Sequence, residues 1–138
     1  DNQAAVHSYR RALELKPDYA RAYLNLGQIK RMEGDFAAAE ELYRRALSLA
    51  SVSSGIHASL GKLFLARDRH DSAAVYFRRA IGLDPEHAES HNSLGTVLAV
   101  QGKYAAALVE YRRALQLDPG YDLARDNMNN ARRALAEP

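Results

Sequence analysis

The sequence of 138 residues contains no cysteine, which excludes disulfide bonds and thiolate chemistry but leaves reducing and oxidising compartments equally open. It has no apolar run near the length of a membrane span, since the longest obvious one is Thr96–Val100, and no signal peptide stands at its start. A strong excess of either charge is also missing. The 19 basic and 17 acidic residues give a net charge of +2, which excludes a globally basic nucleic-acid binder but not a local basic patch. With 47% hydrophobic and 26% charged residues, a single folded, soluble domain is expected.

A nine-residue segment recurs along the chain at a fixed spacing. YRRALELKP, which begins at Tyr9, returns as YRRALSLAS, FRRAIGLDP and YRRALQLDP, and each copy starts 34 residues after the last. Small residues recur with the same period, each glycine following a leucine: Gly27, Gly61 and Gly95; Ala5, Ala39, Ala73 and Ala107; Ala12, Ala46, Ala80 and Ala114. Small residues are expected where two backbones approach closely, so the chain is interpreted as a stack of similar units.

Each unit is expected to form two helices. Apolar residues recur at the spacing of one helix face, as with Ala39 and Tyr43 at i and i+4. Gly34 and Gly102 are expected to end first helices, with Asp68 in the equivalent place, because a helix C-terminus often needs a left-handed residue. No strand pattern appears. The pattern predicts helices near residues 2–15, 20–33, 36–50, 54–67, 70–83, 88–101, 104–117 and 122–135.

These units resemble tetratricopeptide repeats, whose 34-residue signature has Leu-Gly, then Ala, an aromatic residue and Pro at set distances. Residues 54–87, for example, have Leu60-Gly61, Ala73, Phe77 and Pro85 in those places. The resemblance covers essentially the whole chain and implies an all-α fold, a right-handed α-solenoid of about eight helices in antiparallel pairs. The expected single domain, 1–138, comprises the second helix of a partial repeat (1–19), three full repeats (20–53, 54–87, 88–121) and a C-terminal capping helix (122–138).

The two ends differ in character. Residues 122–138 keep the spacing of a first helix but are very polar, which suits a cap with one face in water. Residues 2–15 form a second helix without its first, and the chain does not begin with Met. We therefore expect further repeats or another domain before residue 1, the alternative being a small protein that begins with a fraying helix.

The resemblance also implies a concave groove lined by the first helices. Its residues are small and polar, and amide side chains can hydrogen-bond the backbone of an extended peptide. We therefore expect a protein–protein interaction or scaffold module that binds an extended peptide or a partner helix, although the same residues can also be simply solvated. The candidate groove residues are Arg21, Asn25, Gln28, Ser59, Lys62, Asn92, Ser93, Thr96, Asn127 and Asn130.

The partner's identity is unknown, but a chaperone tail is not expected. Family members that bind such tails use a carboxylate clamp of Lys, Asn and Arg on three successive groove helices. The corresponding positions here are Leu24 and Gln28, then Ser59, then Glu89 and Ser93. None matches, and Glu89 would repel a carboxylate.

An arginine pair follows the aromatic residue of each second helix and would form a basic ridge on the outer face. Glu40 and Glu41 stand four residues before Arg44 and Arg45 and are expected to pair with them. Docking of an acidic protein or nucleic acid on this ridge is the alternative function, with nucleic acid disfavoured by the small net charge. A solvated helix face is the simplest interpretation. The ridge residues are Arg44, Arg45, Arg78, Arg79, Arg112 and Arg113.

No catalytic residue, cofactor or metal site is expected. His87 and His91 are four residues apart, but in HAESH rather than HExxH and without a third ligand, and His57 and His91 share a column with Tyr23 that favours packing. The chain can alternatively be the substrate-selecting arm of a larger enzyme. For the compartment, the sequence favours a soluble cytoplasmic protein without establishing it.

Overall fold

The computed structural model describes residues 2–136, and every regular element in this range is an α-helix. Each helix packs on the one before it, so the chain forms the all-α solenoid expected from the repeat. The bounds differ from expectation by at most one residue, because cap residues such as Glu33 and Ala50 still donate backbone hydrogen bonds to their helices. The helices are α1 (Asn2–Leu15), α2 (Ala20–Met32), α3 (Phe36–Leu49), α4 (Ser54–Ala66), α5 (His70–Leu83), α6 (Ala88–Val100), α7 (Tyr104–Leu117) and α8 (Asp122–Ala136).

The turns inside the repeats depend on a left-handed residue. Gly34 and Gly102 have φ values of +81° and +73°, and Asp68 takes the same role at +55°. This confirms the expected helix ends, since glycine adopts the conformation without strain and aspartate tolerates it. Asp35, directly after the first of these turns, caps α3 by accepting a hydrogen bond from the backbone of Ala38 at 3.1 Å.

Within each repeat the two helices meet where a glycine faces an aromatic ring. A Cβ atom built on Gly61 would lie 2.8 Å from the Phe77 ring, and one on Gly27 would lie 2.6 Å from Tyr43. No side chain fits there, so the glycine column permits the close approach of the two helices. The surrounding alanine columns of the second helices α3, α5 and α7 have no exposed surface, and the core they form is continuous from α3 to α8.

One position in each first helix ties that helix to the turn before it. Its side chain bonds to the carbonyl oxygen six residues earlier: Tyr23 to Pro17 at 3.2 Å, His57 to Ser51 at 3.2 Å, His91 to Pro85 at 3.0 Å and Arg125 to Pro119 at 2.6 Å. Phenol, imidazole and guanidinium groups thus make the same bond. Both histidines of this column are buried, as the packing interpretation expects.

The first and second helices pack differently along the stack. Among the described residues, α2, α4, α6 and α8 contact one another in succession, whereas α1, α3, α5 and α7 contact only the helices directly before and after them in the chain. A stack in which one set of helices touches and the other is spread apart curves toward the touching set. The first helices therefore line the concave inner face, and the second helices form the outer face.

The end helices are only partly covered. No residue described in α1 is fully buried, and α1 packs against α2 alone in this part of the chain. Helix α8 buries Ala124, Met128 and Ala131 on one side. Asn129, which stands where earlier repeats have the close-packed glycine, is exposed, as expected for a polar cap.

Replacing Gly61 with alanine is expected to lower the free energy of unfolding by about 1–3 kcal/mol, because the added methyl group would overlap the buried Phe77 ring. Gly82→Ala is the matched control, since a Cβ there meets no atom within 4 Å. The control is expected to raise the free energy of unfolding by up to about 1 kcal/mol through helix propensity. Urea unfolding followed by circular dichroism measures both, and equal effects would contradict the close-approach argument.

Tyr43→Phe is expected to leave the free energy of unfolding unchanged or to raise it by up to about 1 kcal/mol. The Tyr43 hydroxyl is buried and has no well-oriented hydrogen-bond partner among the described residues, and the next repeat has Phe77 at the equivalent position. Burial raises the pKa of Tyr43, and the Arg31 guanidinium only partly offsets this. Thermal and urea unfolding measure the change, with Tyr43→Ala as a control that leaves a cavity. A loss above about 1 kcal/mol for Tyr43→Phe would mean that the hydroxyl has a partner.

Candidate functional site

The polar residues of α6 and α8 bond to each other across the concave face. Asn92 is buried, its amide donates to the Tyr121 hydroxyl at 3.4 Å, and its side-chain oxygen accepts from Asn127 at 3.0 Å. Burial raises the pKa of Tyr121, and the nearby Glu89 carboxylate raises it further. Asn92 therefore joins α6 to α8 and to the turn before α8.

Lys62 of α4 and Glu89 of α6 form the neighbouring contact on this face. Lys62 Nζ lies 2.6 Å from Glu89 Oε1, and both side chains remain partly exposed. An exposed pair of this kind contributes at most about 1 kcal/mol, so a charged ligand can displace it. At rest, however, the pair leaves this part of the groove without net charge.

A small apolar pocket opens where α6 and α8 cover α7. This inner pocket has a volume of about 270 Å³. A separate cavity of about 390 Å³ lies on the outer face near His91. Ala99, Val100 and Ala131 form much of the wall of the inner pocket. Polar groups at this pocket come from Thr96, Asn127 and Asn130 and from the hydroxyl-bearing rings of Tyr104 and Tyr111, the second of which donates a hydrogen bond to Thr96 at 3.5 Å. The arrangement suits one apolar side chain whose own backbone is hydrogen-bonded by the surrounding amides.

The remaining candidate groove residues lie apart from this pocket. Arg21 and Gln28 are exposed on α2, and neither takes part in a cross-helix hydrogen bond or ion pair in the described chain. Asn25 and Ser93 are half-buried, and Ser59 is buried. The structure thus brings together the α6–α8 half of the set and leaves the α2 half dispersed. The sequence pattern did not point to Tyr121, because the groove residues were sought within the first helices. Its column (Tyr19, Ser53, His87 and Tyr121) lies just before those helices begin.

The six arginines of the basic ridge are all exposed on the outer face. Arg44 binds Glu40 through Nε at 3.1 Å and Nη2 at 2.8 Å, and Arg67 reaches the other carboxylate oxygen at 2.6 Å. These bonds, the one from Arg44 foremost, hold the pKa of Glu40 below its usual value against the opposing effect of burial. The expected Glu40–Arg44 pair is confirmed.

The expected pair between Glu41 and Arg45 is wrong for the described residues, since no ion pair joins them. The Arg45 guanidinium instead lies 5.8 Å from the centroid of the Tyr23 ring. A cation–π contact with an aromatic neighbour competes with a salt bridge on an exposed helix face, where the salt bridge contributes little.

The two closely spaced histidines have separate partners. His87 Nδ1 lies 2.7 Å from the Ser90 hydroxyl, and His91 Nδ1 lies 2.8 Å from Glu110 Oε2. In residues 2–136, no three His, Cys, Asp or Glu side chains gather as metal ligands would. Over the same range, no helix has both the length and the apolar character needed to cross a membrane.

Comparison with known proteins gives a family and a set of structural relatives. The sequence profile of one family, described as tetratricopeptide repeat, matches residues 1–54 and 59–122. No curated protein matches the chain. Solved structures do match: the chain superposes on MamA with a TM-score of 0.83 at 23% identity, over 95% of this chain and 77% of MamA.

Two further structural relatives are described as binding peptides. The first TPR domain of Spaghetti (RPAP3), bound to an HSP90 peptide, matches with a TM-score of 0.82 at 17% identity, over 86% of this chain and 94% of that one. YrrB, described as a TPR protein with an unusual peptide-binding site, matches with a TM-score of 0.74 at 25% identity, over 94% of this chain and 66% of that one. At 23% and 17% identity, the similarity to MamA and to Spaghetti shows a shared fold and nothing further.

Asn92→Ala is expected to lower the free energy of unfolding by about 1–3 kcal/mol, because the change removes the shared partner of Tyr121 and Asn127 at a buried site. Hydrogen exchange should show the loss as faster exchange in α8. Ser93→Ala, one residue further along the same helix and half-buried, is the control and should change little. Unchanged exchange in α8 for Asn92→Ala would mean that these bonds do not hold the cap helix.

Proposed function

The chain belongs to the tetratricopeptide repeat family, and from this we propose that it is a protein–protein interaction module that holds an extended peptide on its concave face. The fold commonly serves such interactions, and the Spaghetti relative was solved with a bound peptide. We take residues 20–53, 54–87 and 88–121 as its three full repeats. The chain contributes binding rather than catalysis in this proposal.

The observation that carries the proposal is the inner pocket between α6 and α8. Its walls are apolar, its volume of about 270 Å³ suits a single side chain, and Thr96, Asn127 and Asn130 stand beside it. An extended peptide exposes backbone donors and acceptors at a regular spacing, and amide side chains can bond to both. We place one apolar peptide side chain in this pocket and the adjoining peptide backbone against Asn127 and Asn130.

The remaining candidate residues have secondary parts in this proposal. Lys62 and Glu89, which neutralise each other at rest, would separate to contact polar or charged side chains of the peptide. Arg21, Asn25, Gln28, Ser59 and Ser93 would extend the contact toward α2. Asn92 acts through Tyr121 and Asn127 rather than on the peptide, so it is unsuitable as a binding variant.

The test begins with peptides selected from a random phage-displayed library on the wild-type protein. Their affinities are then measured by calorimetry for Asn127→Ala, Asn130→Ala and the control Asn129→Ala. Circular dichroism confirms that Asn127→Ala, which also loses the bond to Asn92, still folds. Asn129 makes the same chemical change on the same helix, but it is exposed and does not line the pocket. Each groove variant is expected to weaken binding by about three- to tenfold, the loss of one or two hydrogen bonds.

The control should stay within about twofold of the wild type, which is less than the loss of one hydrogen bond. Equal weakening by all three variants, or by none, would reject the inner pocket as the peptide site. A library that yields no binding peptide would reject the proposed function itself.

A further inference from the structure

The outer face carries a second cavity, larger than the inner pocket and remote from it. It lies between α1 and α3, over α2, and has a volume of about 730 Å³. Tyr23, Ala38 and Leu42 supply apolar surface, and basic side chains stand around them. A smaller cavity of about 340 Å³ shares Arg10 and Lys30 with it and extends along α1. Together they form one groove, called here the α1–α3 groove.

A single column of the repeat distinguishes this groove from its two equivalents. The column comprises Leu42, Tyr76 and Glu110, 34 residues apart. Tyr76 stacks on Phe64 with ring centroids 5.3 Å apart and on His57 at 6.0 Å, so it occupies the space between α3 and α5. Glu110 binds His91 and places a carboxylate between α5 and α7. Only Leu42 leaves its groove both open and apolar at this position.

The charges around the α1–α3 groove are unequally neutralised. Lys30 is paired with Glu33 at 2.8 Å, and Arg44 is paired with Glu40. Arg10 and Arg45 have no carboxylate partner among the described residues, and the Arg45 guanidinium rests on the Tyr23 ring. Two guanidinium groups beside an apolar floor are therefore available to an anionic ligand.

We propose that the α1–α3 groove binds an acidic peptide segment that carries one bulky apolar side chain. The apolar side chain lies against Tyr23 and Leu42, and carboxylates on either side of it bond to Arg10 and Arg45. Glu41 also lines the groove and repels any anion beside it, so the peptide carboxylates must lie near Arg10 and Arg45. The apolar surface of Tyr23, Ala38 and Leu42 favours a peptide side chain over the evenly spaced phosphates of a nucleic acid. The site is independent of the proposed concave site, because no residue lines both.

Fluorescence anisotropy with two labelled peptides, DEEFEED and DEESEED, tests the proposal. The variants are Arg45→Ala, its equivalent Arg79→Ala one repeat later, and Leu42→Tyr, which copies the side chain that fills the next groove. Arg45→Ala and Arg79→Ala change the net charge equally on exposed positions of equivalent helices. Circular dichroism confirms that each variant folds. Asn127→Ala serves as the control for the concave face.

DEEFEED is expected to bind the wild type and to bind about tenfold more weakly to Arg45→Ala, because that variant loses a charge-assisted contact. A similar loss is expected for Leu42→Tyr, because the tyrosine ring would fill the apolar part of the groove. Arg79→Ala and Asn127→Ala should leave its affinity within about twofold. DEESEED, which lacks the apolar side chain, should bind more weakly than DEEFEED.

Five results would overturn the proposal. The first is that DEEFEED does not bind, and the second is that DEESEED binds as well as DEEFEED. The third is that Arg45→Ala and Arg79→Ala weaken the binding of DEEFEED equally, which would indicate diffuse attraction to the basic ridge. The fourth is that only Asn127→Ala weakens it, which would place the peptide on the concave face. An oligo(dT) strand that competes for the same groove more strongly than DEEFEED would also overturn it, in favour of nucleic acid.

Discussion

In each full repeat a glycine of the first helix contacts an aromatic ring of the second helix, and the gap between them has no room for a Cβ atom. The contacts of Gly27 with Tyr43 and of Gly61 with Phe77 show the same geometry one repeat apart. Because this contact sets the distance between the paired helices, and because it returns every 34 residues, each pair presents the same surface to the next. The continuous core and the regular turns depend on that spacing.

The same packing makes the two faces of the solenoid different. The first helices touch one another along the inner face, and their polar side chains meet across helix boundaries, as Asn92 and Asn127 do. The second helices stand apart on the outer face, and the spaces between them become grooves whose character depends on one or two side chains. Curvature thus produces a shared polar surface inside and a set of separate grooves outside.

Equivalent positions in the repeats keep the same role in one column and take different roles in another. The column of Tyr23, His57 and His91 makes the same kind of bond to the preceding turn with different chemical groups. The column of Leu42, Tyr76 and Glu110 differs from groove to groove. Leu42 leaves an open apolar surface, Tyr76 fills its groove with a ring, and Glu110 adds a carboxylate. Side chains of the first column must reach the carbonyl oxygen of the preceding turn, whereas those of the second column are half-buried at the groove surface, where different side chains fit.

Periodicity by itself determined the positions of the helices, the glycine and alanine columns and the left-handed turn at Asp68, because each depends on residues close in sequence. The tertiary structure decided which polar residues meet. Lys62 and Glu89 are 27 residues apart, and Asn92 and Asn127 are 35 apart. Neither separation equals the repeat, so each side chain meets a different position of the next repeat and not its own equivalent. A comparison of equivalent columns therefore finds the core but not the partners across the groove.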